Sequence, residues 1–217
     1  MTYLELVNAI LIRLRESQVT AVTDTTYSTM IGKLVNDAKR QVEDAWNWNA
    51  LGTTITVNTV ASTTNYTVTG SGIRFKGVTV NCTSTSAKNQ LINVPIQWII
   101  DQQQLSTSVP TGIPTYYAWN GTDGTDSKVE IYPTPDSAYT LKFNMYVSQT
   151  PLSTGTDVLL VPSEPVELGA YARALAERGE DGGLSSSEAY GLYKASLADH
   201  IAIEATRYIE NECFVAI

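Results

Sequence analysis

The chain has 217 residues, 43% of them hydrophobic, and carries 14 Lys/Arg against 22 Asp/Glu, a formal charge of −8. This length supports one large or two small packed domains, and charged residues at 17% fall below the usual value of about 25%, with Thr, Ser and Asn in their place. The acidic balance argues against ordinary nucleic-acid binding, and no run approaches the ~20 apolar residues of a membrane span.

From Thr2 to Glu16, the residues Tyr3, Leu6, Val7, Ile10, Leu11 and Leu14 recur at helical spacing. Glu5 and Asn8 interrupt the run and no basic leader precedes it, so it reads as a helix and not as a signal peptide. After a Thr-rich break, with Asp24 or Thr25 as cap, a longer helix is predicted. Its apolar stripe is Tyr27, Ile31, Leu34, Val35, Ala38, Val42, Ala45 and Trp46. Lys33, Asp37, Lys39, Arg40, Glu43 and Asp44 fall on the other side, where Lys39 with Glu43 and Arg40 with Asp44 add modest i, i+4 support.

Period 2 then replaces period 3.6. Thr54 to Val57 and Asn65 to Val68 read as strands; Gly70-Ser71-Gly72 is a turn before a strand through Phe75, Val78 and Val80. Leu91 to Val94 is a further strand, and Pro95 to Gln104 is compatible with a short helix crossing the sheet. Tyr116 to Trp119 and Val129 to Tyr132 flank Asn120-Gly121, a hairpin signal with a longer loop, and Tyr139 to Met145 alternates after Pro133 and Pro135. Short strands at this spacing suggest a small sandwich or barrel.

Helix returns at Ser163, read as a cap, with Pro165 in the first turn, and Gly179 stops it. Asp181-Gly182-Gly183 forms a hinge, and Ser185 with Glu188 makes a capping box for a last helix carrying Tyr190, Tyr193, Leu197, Ile201 and Tyr208 on one face. Two amphipathic helices at each end cannot cover their apolar stripes alone. The predicted fold is therefore α+β: residues 1–50 and 163–217 form an α-helical bundle, and residues 51–162 are an inserted antiparallel β domain of sandwich or barrel type.

Chemistry is sparse, and the reading is a non-enzyme without cofactor or metal. His200 is the sole histidine, mid-helix and away from any nucleophile, which a Ser-His or Cys-His site requires. Cys82 and Cys213 are far apart and have no partnering pattern. The loop Asn120 to Asp126 has oxygens spaced for Ca²⁺ but lacks the bidentate Glu of an EF-hand, so it reads as a turn. The acids are unevenly placed: residues 164–217 hold ten against four basic side chains. This is a solvated face or a surface that DNA passes without sticking. Glu177, Glu180 and Asp181, at a helix end and hinge, are the first candidates to line such a passage. The last residues, Cys213 to Ile217, are apolar, as in a segment that docks on something.

Five stretches together resemble the head-to-tail adaptor proteins of short-tailed bacteriophages, also called tail tubular protein A or portal-docking connectors. They are Met1–Arg15, Leu34–Leu51, Gly70–Phe75, Val129–Asp136 and Leu160–Gly183. The resemblance implies a structural virion protein assembled in the host cytoplasm, in a closed ring of twelve copies under the portal at the head-tail interface. It implies as partners further copies of the chain, the portal protein, a tail nozzle and tail fibres, with genomic DNA passing through unbound and no membrane. It also implies that the C-terminal segment reaches along the portal, which here assigns docking to Glu212, Cys213, Phe214, Val215, Ala216 and Ile217. The competing readings are a carbohydrate- or receptor-binding module built on the β domain, and a hydrolase.

Overall fold

The computed structural model describes residues 1–84, 88–179 and 184–207. Two long helices come first, α1 (Tyr3–Arg13) and α2 (Thr26–Ala45). Both begin with reciprocal capping boxes, Thr2 with Glu5 and Thr25 with Ser28, so the first orphan amides are satisfied locally. Thr25 is thus the cap of α2. Asp24 instead accepts from the Thr20 and Ala21 amides in the preceding loop.

A 3-10 turn (Asn49–Leu51) leads to β1 (Gly52–Asn58), β2 (Asn65–Thr67), β3 (Phe75–Thr83) and β4 (Lys88–Asn93). The ambiguous stretch after Pro95 is a helix, α3 (Ile96–Gln104); β5 (Tyr116–Thr122), β6 (Ser127–Tyr132) and β7 (Thr140–Val147) follow. The chain closes with α4 (Ser163–Arg178) and α5 (Leu184–Ala205). Helices and sheet are separate along the chain, an α+β arrangement.

Two details differ from expectation at the late helices. Ser163 is already inside α4: the cap position is Pro162, which supplies no side-chain bond, while Gly179 ends the helix in the left-handed conformation with φ 63°. Helix α5 starts one residue before Ser185, so Ser185 cannot serve as its cap.

By contact density the chain divides into one unit of residues 1–50 with 149–217 and another of residues 51–148. In the first, α2 touches α1 and α4, and α4 touches α1 and α5. Leu6, Val7, Ile10 and Leu11 of α1, Ile31, Val35 and Val42 of α2, and Val166, Ala170 and Ala174 of α4 are buried. Close approach is enforced by small residues. A Cβ on Gly32 would meet the Tyr3 hydroxyl at 2.3 Å, and one on Gly169 would meet the Tyr193 ring at 3.1 Å.

Lys39 and Glu43 correct the sequence reading: they are not on a solvated face. Their side chains are 3% and 2% exposed, 3.0 Å apart. Lys39 Nζ also donates to the carbonyls of Gln149 (2.7 Å) and Thr150 (3.3 Å). One turn earlier, Asn36 accepts from the Leu152 amide (2.8 Å) and donates to its carbonyl (3.0 Å). Helix α2 therefore holds the returning chain through buried polar groups that are individually costly and jointly satisfied.

In the second unit, the seven strands form one sheet in the order β1-β7-β3-β4-β5-β6-β2. It is mixed, not antiparallel throughout, because β4 and β5 run parallel. A parallel pair needs a crossover, and α3 supplies it. Ile55 and Val57 near one edge and Tyr66 near the other pack on the same cluster, which includes Val80, Leu91, Ile131 and Phe143. The sheet thus curls over its own core. On the opposite face, Ile99 of α3 packs with Ala118 and Tyr132. The chain enters and leaves this sheet on paired neighbours, with Gly52 of β1 opposite Tyr146 of β7.

Replacing Lys39 with Met leaves the Glu43 carboxylate buried without its ammonium, and urea unfolding should show a loss of about 3–5 kcal/mol. The double variant Lys39→Met with Glu43→Leu should recover only part of it, because no unpaired charge then remains but the Gln149 and Thr150 carbonyls still lack the Lys39 donor.

Candidate assembly surface

Among the described residues, no group of three or more His, Cys, Asp or Glu side chains is placed to hold a metal ion, and no helix is long and apolar enough to cross a membrane. His200 donates from Nδ1 to the Ser196 carbonyl at 2.8 Å, one turn back in α5. This fixes its tautomer, so Nδ1 has no lone pair for the Ser196 hydroxyl 3.5 Å away, and Nε2 faces Glu164 only at 3.8 Å. The cluster is not a nucleophile-base pair.

The loop considered for Ca²⁺ spends its carboxylates on backbone. Asp123 accepts from the amides of Thr125 (2.9 Å) and Asp126 (2.7 Å). Asp126 accepts from those of Gly70 (3.0 Å) and Gly72 (2.9 Å), pinning the glycine turn. Glu130 is a buried acid in mid-strand that alternation did not single out. Burial raises its pKa, but bonds from Thr64, Asn65, Asn120 and Gln103 outweigh that and hold it below the ordinary carboxylate value.

The acids of the C-terminal half do not form one uniform field. Glu177 is exposed in the last turn of α4. Glu180, Asp181 and Glu212 to Ile217 lie outside the described residues, as does Tyr208. Glu167 pairs with Arg13 at 2.6 Å, and buried Glu204 accepts from the Asn49 amide at 2.8 Å. Glu164, Glu188 and Asp199 are exposed. Arg178, at the end of α4, donates to the Tyr27 hydroxyl and the Leu14 carbonyl and pairs with Glu16.

What the helical unit does present is apolar surface. The buried stripe of α5 runs through Ala189, Tyr193, Ser196 and Glu204, so Tyr190 sits on the exposed side, contrary to expectation. Leu192 and Ile203 are each 62% exposed on the same helix, and Ile12 is 55% exposed on α1. These are separate apolar positions on the surface of the helical unit. Beside α1, the turn Ser153–Asp157 is built around one carboxylate. Asp157 accepts from the Thr154 hydroxyl and from the Ser153 and Thr154 amides, which lowers its pKa from 3.8 to about 2. The carbonyls of Asp157 and Gly155 in turn accept from Tyr3 N (2.8 Å) and Leu4 N (3.1 Å), covering amides at the start of α1 that have no partner within the helix.

A family model matching residues 1–210, across both units, places the chain among adaptor proteins, structural components of phage virions. The family is that of the SU10 adaptor protein, and the chain belongs to it, in agreement with the resemblance to head-to-tail adaptors. No individually curated protein matches the chain.

Because the folded pKa of Asp157 lies below the unfolded value, the turn's stabilisation is present above pH 3.8 and fades as pH falls towards about 2. An NMR titration should find the Asp157 carboxyl titrating near 2. The Ser153 and Thr154 amide resonances should move with it.

Proposed function

We propose that the protein is a subunit of a closed ring that sits under the portal, joins the capsid vertex to the tail nozzle and fibres, and leaves a passage for the genome. The observation that carries this reading is the adaptor family match along residues 1–210. A ring requires two different patches that meet head to tail, repeated until the rotation closes. The exposed apolar residues of α5 and α1 suit such a contact better than a monomer's surface. In this proposal both ends of the chain act as one helical bundle, the ring has twelve copies, and the role is structural, without catalysis. The particle is assembled in the host cytoplasm.

Glu212 to Ile217 take the portal-docking role. Removing these six residues should weaken co-sedimentation with purified portal rings while leaving the helical circular dichroism signal and the unfolding midpoint in place. Unchanged co-sedimentation of the shortened protein would overturn the assignment.

The acids Glu177, Glu180 and Asp181 are assigned to the passage, where negative charge repels phosphate over roughly a Debye length, about 10 Å at moderate salt. Reversing all three to Lys should slow genome ejection from otherwise complete particles, and the slowing should shrink as salt is raised. Ejection that matches wild type at every salt concentration would leave these acids as a solvated face.

A further inference from the structure

Helix α3 covers the sheet face opposite the core at β5 and β6, where Ile99 and Trp98 pack with Tyr116, Ala118 and Tyr132. On the same face, β1, β7, β3 and β4 are open to solvent. Thr56 stands opposite Lys142, Lys142 opposite Asn81 and Asn81 opposite Gln90, so register places them on one side. Thr54, Thr56, Thr79, Lys142, Lys88 and Gln90 are exposed there. These four strands contain three lysines and no Asp or Glu. Among the described residues, neither Lys142 nor Lys88 enters an ion pair.

The helical unit is the electrostatic complement of this face. Residues 1–50 with 149–217 hold nine Lys/Arg against seventeen Asp/Glu, whereas residues 51–148 hold five of each, so the whole charge of −8 belongs to the helical unit. Along α5, Glu188, Leu192, Ala195, Asp199 and Ile203 recur at helical spacing, all of them exposed and none basic. Leu192, Ala195 and Asp199 share with Leu168, Ser196 and Glu164 a hollow of about 370 Å³. Arg13 borders it too, but is already paired with Glu167 at 2.6 Å. An apolar floor with acids at its rim suits a lysine, whose stem packs on hydrocarbon while its ammonium reaches the carboxylates.

We propose that α5 of one copy docks on the open sheet face of a second copy, with Lys142 and Lys88 meeting Asp199, Glu188 and Glu164. Ile92, 59% exposed beside Lys88 on β4, then receives Leu192 and Ile203. The contact rests on the ring reading and supplies what that reading needs, two unlike patches that meet head to tail. Two copies meeting through the same patch would set acid against acid or lysine against lysine, which like-charge repulsion disfavours. Because its charges are exposed, the contact weakens as salt is raised.

Thr56→Cys, opposite Lys142 on the sheet face, and Ala195→Cys, on the α5 stripe, test this with every charge in place. Each is made in a full chain that also carries Cys213→Ser. Mixed under mild oxidation, with and without purified portal rings, the two should form a linked dimer that neither forms alone. Lys33→Cys, exposed on α2, is the control in place of Thr56→Cys and should not link to Ala195→Cys. Adding Lys142→Glu and Lys88→Glu to the Thr56→Cys chain should remove most of the dimer. Adding Glu188→Lys and Asp199→Lys to the Ala195→Cys chain should then restore it, which also shows that the reversed chains are folded. Equal linking at Lys33 and Thr56, equal linking by Ala195→Cys alone, or a link indifferent to the reversals would each overturn the proposal. Copies that associate on the portal without linking Thr56 to Ala195 overturn this contact and leave the ring standing. Copies that associate neither in solution nor on the portal overturn both.

Discussion

The buried ammonium of Lys39 is the interaction on which the helical unit rests. The chain leaves α2, runs through about a hundred residues of sheet, and must then return to place α4 and α5 beside the helices it began with. Hydrophobic contact alone does not fix where an irregular returning segment lies, because its backbone groups need partners wherever they are buried. Lys39 donates to two of those carbonyls while Glu43 neutralises it, and Asn36 bonds Leu152 in the manner of a neighbouring strand. The register of 149–152 along α2 sets where α4 begins. The Arg13–Glu167 and Arg178–Glu16 pairs then lock α1 to α4 from the outside, where exposure makes each of them worth less.

The broad division of the fold was legible because hydrophobic period is a local property. The switch from 3.6 to 2 after Trp46 and back near Ser163 locates the helices and strands to within a few residues. Strand direction was not legible. It turned on Pro95 to Gln104, which as a loop permits an antiparallel meander and as a helix makes the β4–β5 crossover parallel. The burial of Lys39, Glu43 and Glu130 was hidden for a related reason. An i, i+4 Lys–Glu pair looks like a surface pair until remote carbonyls are known to lie over it, and Glu130 finds its donors on α3, on β5 and beside β2.

The candidate site was less legible still. An adaptor's working parts are patches that match other molecules, and matching surfaces leave no spaced motif of the kind that metal ligands or catalytic groups produce. Counting acids identified an excess in the C-terminal half. It did not separate Glu204 and Glu167, which serve internal partners, from Glu177, Glu188 and Asp199, which face solvent. Helical periodicity placed Tyr190 inward, but the buried stripe of α5 runs through Ala189, Tyr193, Ser196 and Glu204, which leaves Tyr190 at its exposed margin.

The pairing of Gly52 with Tyr146 has a bearing on how such a chain can change over generations. The sheet unit begins and ends on two antiparallel strands whose ends lie one strand spacing apart, near 5 Å. To the helical part, the whole unit is a loop with almost coincident ends, and the closure entropy of a loop grows only slowly with its length. Residues 51–148 can therefore be lengthened, trimmed or exchanged for another module with adjacent termini at little thermodynamic penalty to α1, α2, α4 and α5. A lineage that keeps the helices constant can thus replace the hairpin-necked module while the packing of the helical unit persists.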